Sequence, residues 1–229
     1  MTVSRFSAVV FLLVLQIPGS AGTADRQADR TLLVPGGPAR PPFALRVLTN
    51  GREGVVEVSG PAGTRLQTLT CALEPYASFV SGFAIEDLDM DGHPDLRAPR
   101  EFGAKWERYC IWLYDPSTGG FENDLLARQM ELLTNLKVDA GHHRLVSFDI
   151  GPVRPSWDVY RIVNGAYPEQ RLLLPEQACV VESDVSGPVA AIVTRFADGR
   201  ARTGRHALSP VDQRSTQEIC DGFGGAGGP

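Results

Sequence analysis

Beyond residue 42 the chain alternates apolar and polar positions with a period of two, the pattern of strands that bury one face. Phe43 to Leu48 and Val55 to Val58 flank an Asn50-Gly51 pair, which predicts a hairpin. Arg65 to Cys71 and Phe79 to Ile85 continue the texture. Tyr109-Cys110-Ile111-Trp112-Leu113-Tyr114 is strongly β-prone, and Asp115-Pro116-Ser117-Thr118-Gly119-Gly120 turns it back at Phe121. Arg144 to Ile150, Trp157 to Val163, Leu172 to Leu174 and Val189 to Phe196 read as further strands, with turns at Asn164-Gly165 and Asp198-Gly199. One stretch changes period: Leu125, Leu126, Met130 and Leu133 stand at helical spacing and predict a helix over Asn123 to Leu133. Trp112 to Phe121 is echoed weakly by Tyr160 to Tyr167, both strand, glycine turn and aromatic re-entry. The expected class is all-β: antiparallel sheets in a meander, sandwich or small propeller-like arrangement, with one short helix.

The ends of the chain read differently. Arg5 precedes an apolar run, Phe6 to Ile17, and Gly19-Ser20-Ala21 follows. That predicts a secretory signal peptide over residues 1–21, with cleavage after Ala21 or, alternatively, after Ala24. The run is too short for a transmembrane helix, and no cysteine stands near the cleavage point to carry a lipid, so no membrane anchor is expected. Residues 22–42 form a Pro/Gly-rich linker in this reading, 43–175 a calcium-binding β domain, 176–220 a C-terminal disulfide-bearing β segment, and 221–229 a flexible glycine tail. A periplasmic or secreted location follows.

Composition narrows the partners. The net charge of the 229 residues is −5, and loss of Arg5 with the signal peptide makes it one unit more negative. An acidic chain without a sequence cluster of Lys and Arg disfavours nucleic acid and anionic membrane. Cys71, Cys110, Cys179 and Cys220 contain no CxxC pair, which disfavours zinc and thioredoxin-type chemistry. In an oxidising compartment the even number reads as two disulfides, for which three pairings exist. Cys71–Cys110 with Cys179–Cys220 is preferred, since the first ties strands either side of residues 87–95 and the second closes the C-terminal segment.

Those residues, Asp87-Leu88-Asp89-Met90-Asp91-Gly92-His93-Pro94-Asp95, are the strongest chemical signal. Alternation puts Asp87, Asp89 and Asp91 on one side, and Gly92 permits a left-handed turn. The His93 carbonyl and the Asp95 carboxylate then return to face them. Gathered carboxylates repel by roughly 3 kcal/mol per pair at ~5 Å and an effective dielectric of ~20, so the loop calls for a cation. Hard oxygen donors point to calcium, with Asp87, Asp89, Asp91, His93 and Asp95 as ligands. The spacing follows the first nine positions of an EF-hand loop, but Ala98 stands where the bidentate glutamate belongs, and Pro94 and Pro99 oppose a following helix. The expectation is a calcium loop joining two strands.

The order of the Asp loop, a gap, and Trp112-Leu113-Tyr114-Asp115-Pro116-Ser117-Thr118-Gly119-Gly120-Phe121 resembles a family of exported bacterial proteins with FG-GAP-like calcium loops. That family is typified by a periplasmic immunity protein against a lysozyme-like effector of type IV secretion systems, and is related in fold to periplasmic inhibitors of invertebrate-type lysozyme. The similarity spans about Arg65 to Tyr167, including Gln67-Thr68-Leu69 and Leu132 to Asn135. It implies an antiparallel β domain, a structural calcium, no catalysis, and a peptidoglycan hydrolase as protein partner. The family's recognition segment corresponds to Gly151-Pro152-Val153-Arg154-Pro155-Ser156-Trp157, where Gly151 and Trp157 keep their places and prolines and Arg154 replace small residues. Gly151, Arg154 and Trp157 are therefore candidate partner-binding residues, and Trp106, in a second loop, is another.

An enzymatic reading finds little. Glu74, Glu101, Glu107 and Glu131 are isolated along the chain, where a glycosidase needs two carboxylates at a set separation. His142-His143 falls in a turn signature, and no HExxH, GxSxG or P-loop pattern occurs. The alternative to an inhibitor is a non-inhibitory exported β-module that binds envelope glycans or proteins.

Overall fold

A computed structural model describes residues 29–34, 42–75, 77–150, 154–164, 171–184, 187–197, 200–208 and 215–224. The signal-peptide region lies outside the described residues. The chain divides into two compact units, Met1–Ser81 and Gly82–Pro229. It is mostly β, with three antiparallel sheets, two short helices and no closed barrel among the described residues.

In the first unit β1 (Asp29–Val34), β2 (Phe43–Thr49), β3 (Glu53–Ser59) and β4 (Arg65–Ala72) form one sheet in sequence order. Alternation sorts the residues as expected: Leu45, Val47, Val56 and Val58 are buried. Strand β1 lies where a linker was anticipated. Its Leu32 and Val34 are buried, and Leu32 pairs with Leu45, but four apolar-leaning residues beside a Pro/Gly-rich stretch give a weak signal. Gly54 is required by packing, since a Cβ there would fall 2.3 Å from the Phe79 ring.

The second unit holds two sheets. β5 (Ala84–Glu86), β6 (Asp95–Phe102), β7 (Glu107–Asp115) and β8 (Gly120–Glu122) make the smaller. β9 (Lys137–Asp139), β10 (Arg144–Asp149), β11 (Ser156–Asn164), β12 (Arg171–Asp184), β13 (Gly187–Ala197) and β14 (Arg200–Ala207) make the larger. Every hydrogen-bonded neighbour is also a sequence neighbour, which is a meander. The expected boundary between residues 175 and 176 falls inside β12, where Pro175 is accommodated opposite Tyr160 at a break in register.

Helix α1 (Leu125–Met130) is shorter than the stretch expected from spacing. Asp124 caps it by accepting from the Ala127 N–H at 2.8 Å. Leu126, Ala127 and Met130 are buried against Leu88, Ile111 and Leu113 on one side and Leu145 and Leu173 on the other, so α1 fills the space between the two sheets of this unit. Asn135 connects the same sheets, accepting from the Glu107 N–H at 3.0 Å and donating to the Lys105 and Phe148 carbonyls at 3.0 and 2.8 Å.

The opposite face of the larger sheet carries Val146, Trp157, Val159, Val181 and Val193, covered by Ile219 and Cys220. Those two residues belong to α2 (Thr216–Gly224), where a β segment and a flexible tail were anticipated. The helix starts with a capping box: Ser215 Oγ accepts from the Glu218 N–H at 3.2 Å, and the Glu218 carboxylate accepts from the Ser215 N–H at 2.7 Å. A Cys179–Cys220 disulfide, with Cα atoms 5.9 Å apart, fastens α2 to β12. Cys71 and Cys110 are also disulfide-bonded, so no free thiol remains.

Because Leu126 is fully buried in the core that both sheets contribute to and its neighbour Leu125 is 44% exposed, the two truncations should separate cleanly. Leu126→Ala is expected to cost about 2–5 kcal/mol in urea unfolding and Leu125→Ala under about 1 kcal/mol. Equal costs would contradict the placement of α1.

Candidate metal centre

The acidic stretch forms the connection between β5 and β6. Leu88 is fully buried and Met90 packs against the same core, so the even positions anchor the loop and the odd ones turn away from it. Met90 (φ 61°) and Gly92 (φ 91°) both take left-handed backbone, and they fold the loop back toward its own start.

Carboxylates organise this turn by accepting backbone N–H groups. Asp87 accepts from Asp91 at 3.1 Å and from Gly92 at 3.0 Å. Asp89 accepts from Asp91 at 3.2 Å, and Asp91 from His93 at 2.8 Å. Asp95, the first residue of β6, is wholly buried. Its Oδ2 accepts from Leu88 at 2.8 Å and Asp89 at 3.4 Å, while its Oδ1 accepts from Tyr114 of β7 at 2.8 Å. A single carboxylate thus joins the loop to the neighbouring strand.

Asp87, Asp89 and Asp95 each bring an oxygen within 4.8 Å of the others, a group that can hold a metal ion. The side chains of Asp91 and His93 are not in that group. Asp91 is exposed and turned to the His93 N–H, and the His93 ring lies 5.5 Å from Tyr114. Two residues that sequence reading missed complete the surroundings. Arg171, at the start of β12, ion-pairs with Asp89 and stands 4.0 Å from Asp124, the cap of α1. Arg171 and Asp89 are 82 positions apart, so no local pattern announced the contact. An open cleft of about 320 Å³ lies alongside, lined in part by Asp91, Tyr114, Asp115, Glu122, Asp124 and Arg171.

Electrostatics fits a cation. Burial, reinforced by the neighbouring Asp89 charge, pushes Asp95 up to about 8 despite the N–H groups of Tyr114 and Leu88 that favour its anion. Burial likewise pushes Asp89 up to about 6, against the pull of Arg171. One guanidinium is too little positive charge for three clustered carboxylates, and all the donors are hard oxygens of the kind that bind calcium or magnesium.

The candidate partner-binding residues are scattered. Gly151 lies outside the described residues. Arg154 is 62% exposed at its side chain and stands 3.5 Å from Glu182. Trp157 is buried, stacked on Phe148 with ring centroids 5.5 Å apart, so its ring packs the core. Trp106 is half-buried beneath Arg108 and occupies the space that the missing side chain of Gly103 leaves. His142, in the turn signature noted from sequence, contacts the Asp139 carboxylate at 2.8 Å on an exposed turn.

No family model matches the chain, and no curated protein matches it. Among solved structures it is similar to one described as "Structure of a Xanthomonas Type IV Secretion System related protein", at 18% identity and a TM-score of 0.47, over 75% of this chain and 84% of that one.

The raised acids fix a pH dependence for the metal-free protein. Unfolded, Asp95 and Asp89 titrate near the ordinary aspartate value of 3.8, while folded they hold protons to about 8 and about 6. Between these limits the folded state binds more protons, so stability falls as pH rises. Thermal melts in chelator should show Tm falling from pH 4.5 to 8, and saturating calcium should flatten or reverse the slope. An Asp95→Asn protein should lose most of the decline in chelator.

Proposed function

We propose that this is an exported, non-catalytic calcium-binding β protein that inhibits a lysozyme-like peptidoglycan hydrolase. The observation that carries the metal half is the buried Asp95 carboxylate beside Asp87 and Asp89, a group whose charge needs a counter-ion. Calcium is preferred to magnesium because an irregular loop, with the His93 carbonyl as a further oxygen, suits a flexible coordination shell. Support for the inhibitory half is the order of the Asp loop and the Tyr109–Phe121 segment, which β6–β7 pairing and the Asp95–Tyr114 bond join into one physical unit.

A non-catalytic role agrees with how the glutamates are used. Glu101 lies 3.7 Å from Arg108, Glu107 accepts from the Tyr109 hydroxyl at 3.1 Å, and Glu131 accepts from the Ile111 N–H at 3.0 Å. These are structural contacts, and they occupy three of the four glutamates that the enzymatic reading considered. Disulfides fit an oxidising compartment, and no described helix is long and apolar enough to cross a membrane. The burial of Trp157 favours a second reading, a non-inhibitory exported β-module, because it removes one aromatic from the contact surface.

Lysis assays with a panel of lysozyme-family enzymes decide between the two. The inhibitor reading predicts a stoichiometric complex and loss of lytic activity with at least one enzyme. Arg154→Ala should weaken that complex by about tenfold, the loss of one charged contact, at unchanged Tm. No complex and no inhibition across the panel would overturn the hydrolase partner and leave the metal site standing.

A further inference from the structure

The β13–β14 hairpin gathers positive charge on a chain whose net charge is −5: Arg195, Arg200, Arg202 and Arg205 fall within eleven residues, a local cluster that the sequence reading passed over. Register sets Arg195 directly opposite Arg202, and Ala197 opposite Arg200. With a period of two, Arg195, Arg200 and Arg202 share one face, and all three are exposed. Among the described residues no carboxylate pairs with any of them. Arg205 points to the other face, where it and Arg154 share Glu182 at 3.1 and 3.5 Å.

Like charges at directly opposed positions destabilise a strand pair. Charge on an edge strand also discourages aggregation, but that needs arginines on β14 alone, and Arg195 sits on the inner strand β13. β14 is the last strand of its sheet, so its outer row of N–H and C=O groups pairs with no other strand among the described residues.

We propose that this hairpin is a docking edge for an extended acidic protein segment, which adds as a strand beside β14. Carboxylates on every second residue of such a segment recur about 7 Å apart, the spacing at which Arg200 and Arg202 recur on β14. Arg195 extends the same positive face one strand inward. A second copy of the chain is the wrong occupant, since edge-to-edge pairing of β14 would set arginine against arginine. Nucleic acid or an anionic lipid surface would use the charge and leave the backbone edge unpaired. The inference rests neither on the metal loop nor on a hydrolase partner.

Fluorescence anisotropy on the full mature chain tests it with three short labelled peptides: alternating Glu–Thr, alternating Glu–Pro and alternating Lys–Thr. Glu–Thr should bind in a salt-sensitive way and Lys–Thr should not. Glu–Pro keeps the charge but lacks half the backbone donors, and should bind at least about tenfold more weakly. The double variant R200E/R202E should lose at least about tenfold in affinity for Glu–Thr. R195E places opposite charges across the ladder, so its Tm should be no lower than that of the parent while its affinity falls. Failure of Glu–Thr to bind, equal binding of Glu–Thr and Glu–Pro, an unaffected R195E, or tighter binding of phosphatidylglycerol vesicles or DNA would each overturn the proposal.

Discussion

The second unit is built around one carboxylate. Asp95 is fully buried yet accepts N–H groups from the loop before it and from the strand beside it. An apolar residue at this position would leave three buried donors unsatisfied, each at a cost of about 1–3 kcal/mol. A lone anion there is also unfavourable, and burial raises its affinity for a proton. The geometry therefore demands the carboxylate while the environment resists its charge. Asp87, Asp89 and Arg171 are arranged around that conflict, and a divalent cation held by the three carboxylates would offset it.

Once the loop is fixed, the remaining architecture follows from where its apolar residues point. Leu88 enters the core that α1 shares with β7, β10 and β12. Side chains complete the joints where strand pairing stops. Gln129 of α1 accepts from the Leu173 N–H at 2.9 Å, and Glu131 accepts from Ile111 and from the Asn123 amide. On the far face of the larger sheet the Cys179–Cys220 bridge holds α2 over the valines of β11 to β13. The loop is thus mounted on a scaffold braced on both sides.

Much of this was legible in the residues. Period-two alternation located β2, β3, β4, β7, β10 and β11, and the Asp-x-Asp-x-Asp-Gly spacing located the loop. What escaped had physical reasons. β6 crosses Pro99, which a linear reading takes as a break, but the proline sits at an irregularity between β6 and β7. β12 absorbs Pro175 in the same way. The capping box at Ser215 and Glu218 was present in the sequence, but the glycines that follow it masked the helix. Asp91 illustrates a finer limit: spacing makes it equivalent to Asp89, and only its exposed position and its bond to the His93 N–H separate the two. Arg171 had no sequence signal, since its role depends on β12 passing the loop.

Calcium is the point on which the proposed function turns, because an ion held by Asp87, Asp89 and Asp95 would offset their clustered charge at the end of the sheet. Calorimetric titration of calcium into the metal-free mature protein addresses it directly. The account predicts saturable binding of one ion per chain, accompanied by proton release that is present at pH 6 and fades as pH rises past about 8, and abolished by Asp89→Asn. Absence of binding at millimolar calcium, or binding that survives Asp89→Asn unchanged, would contradict it.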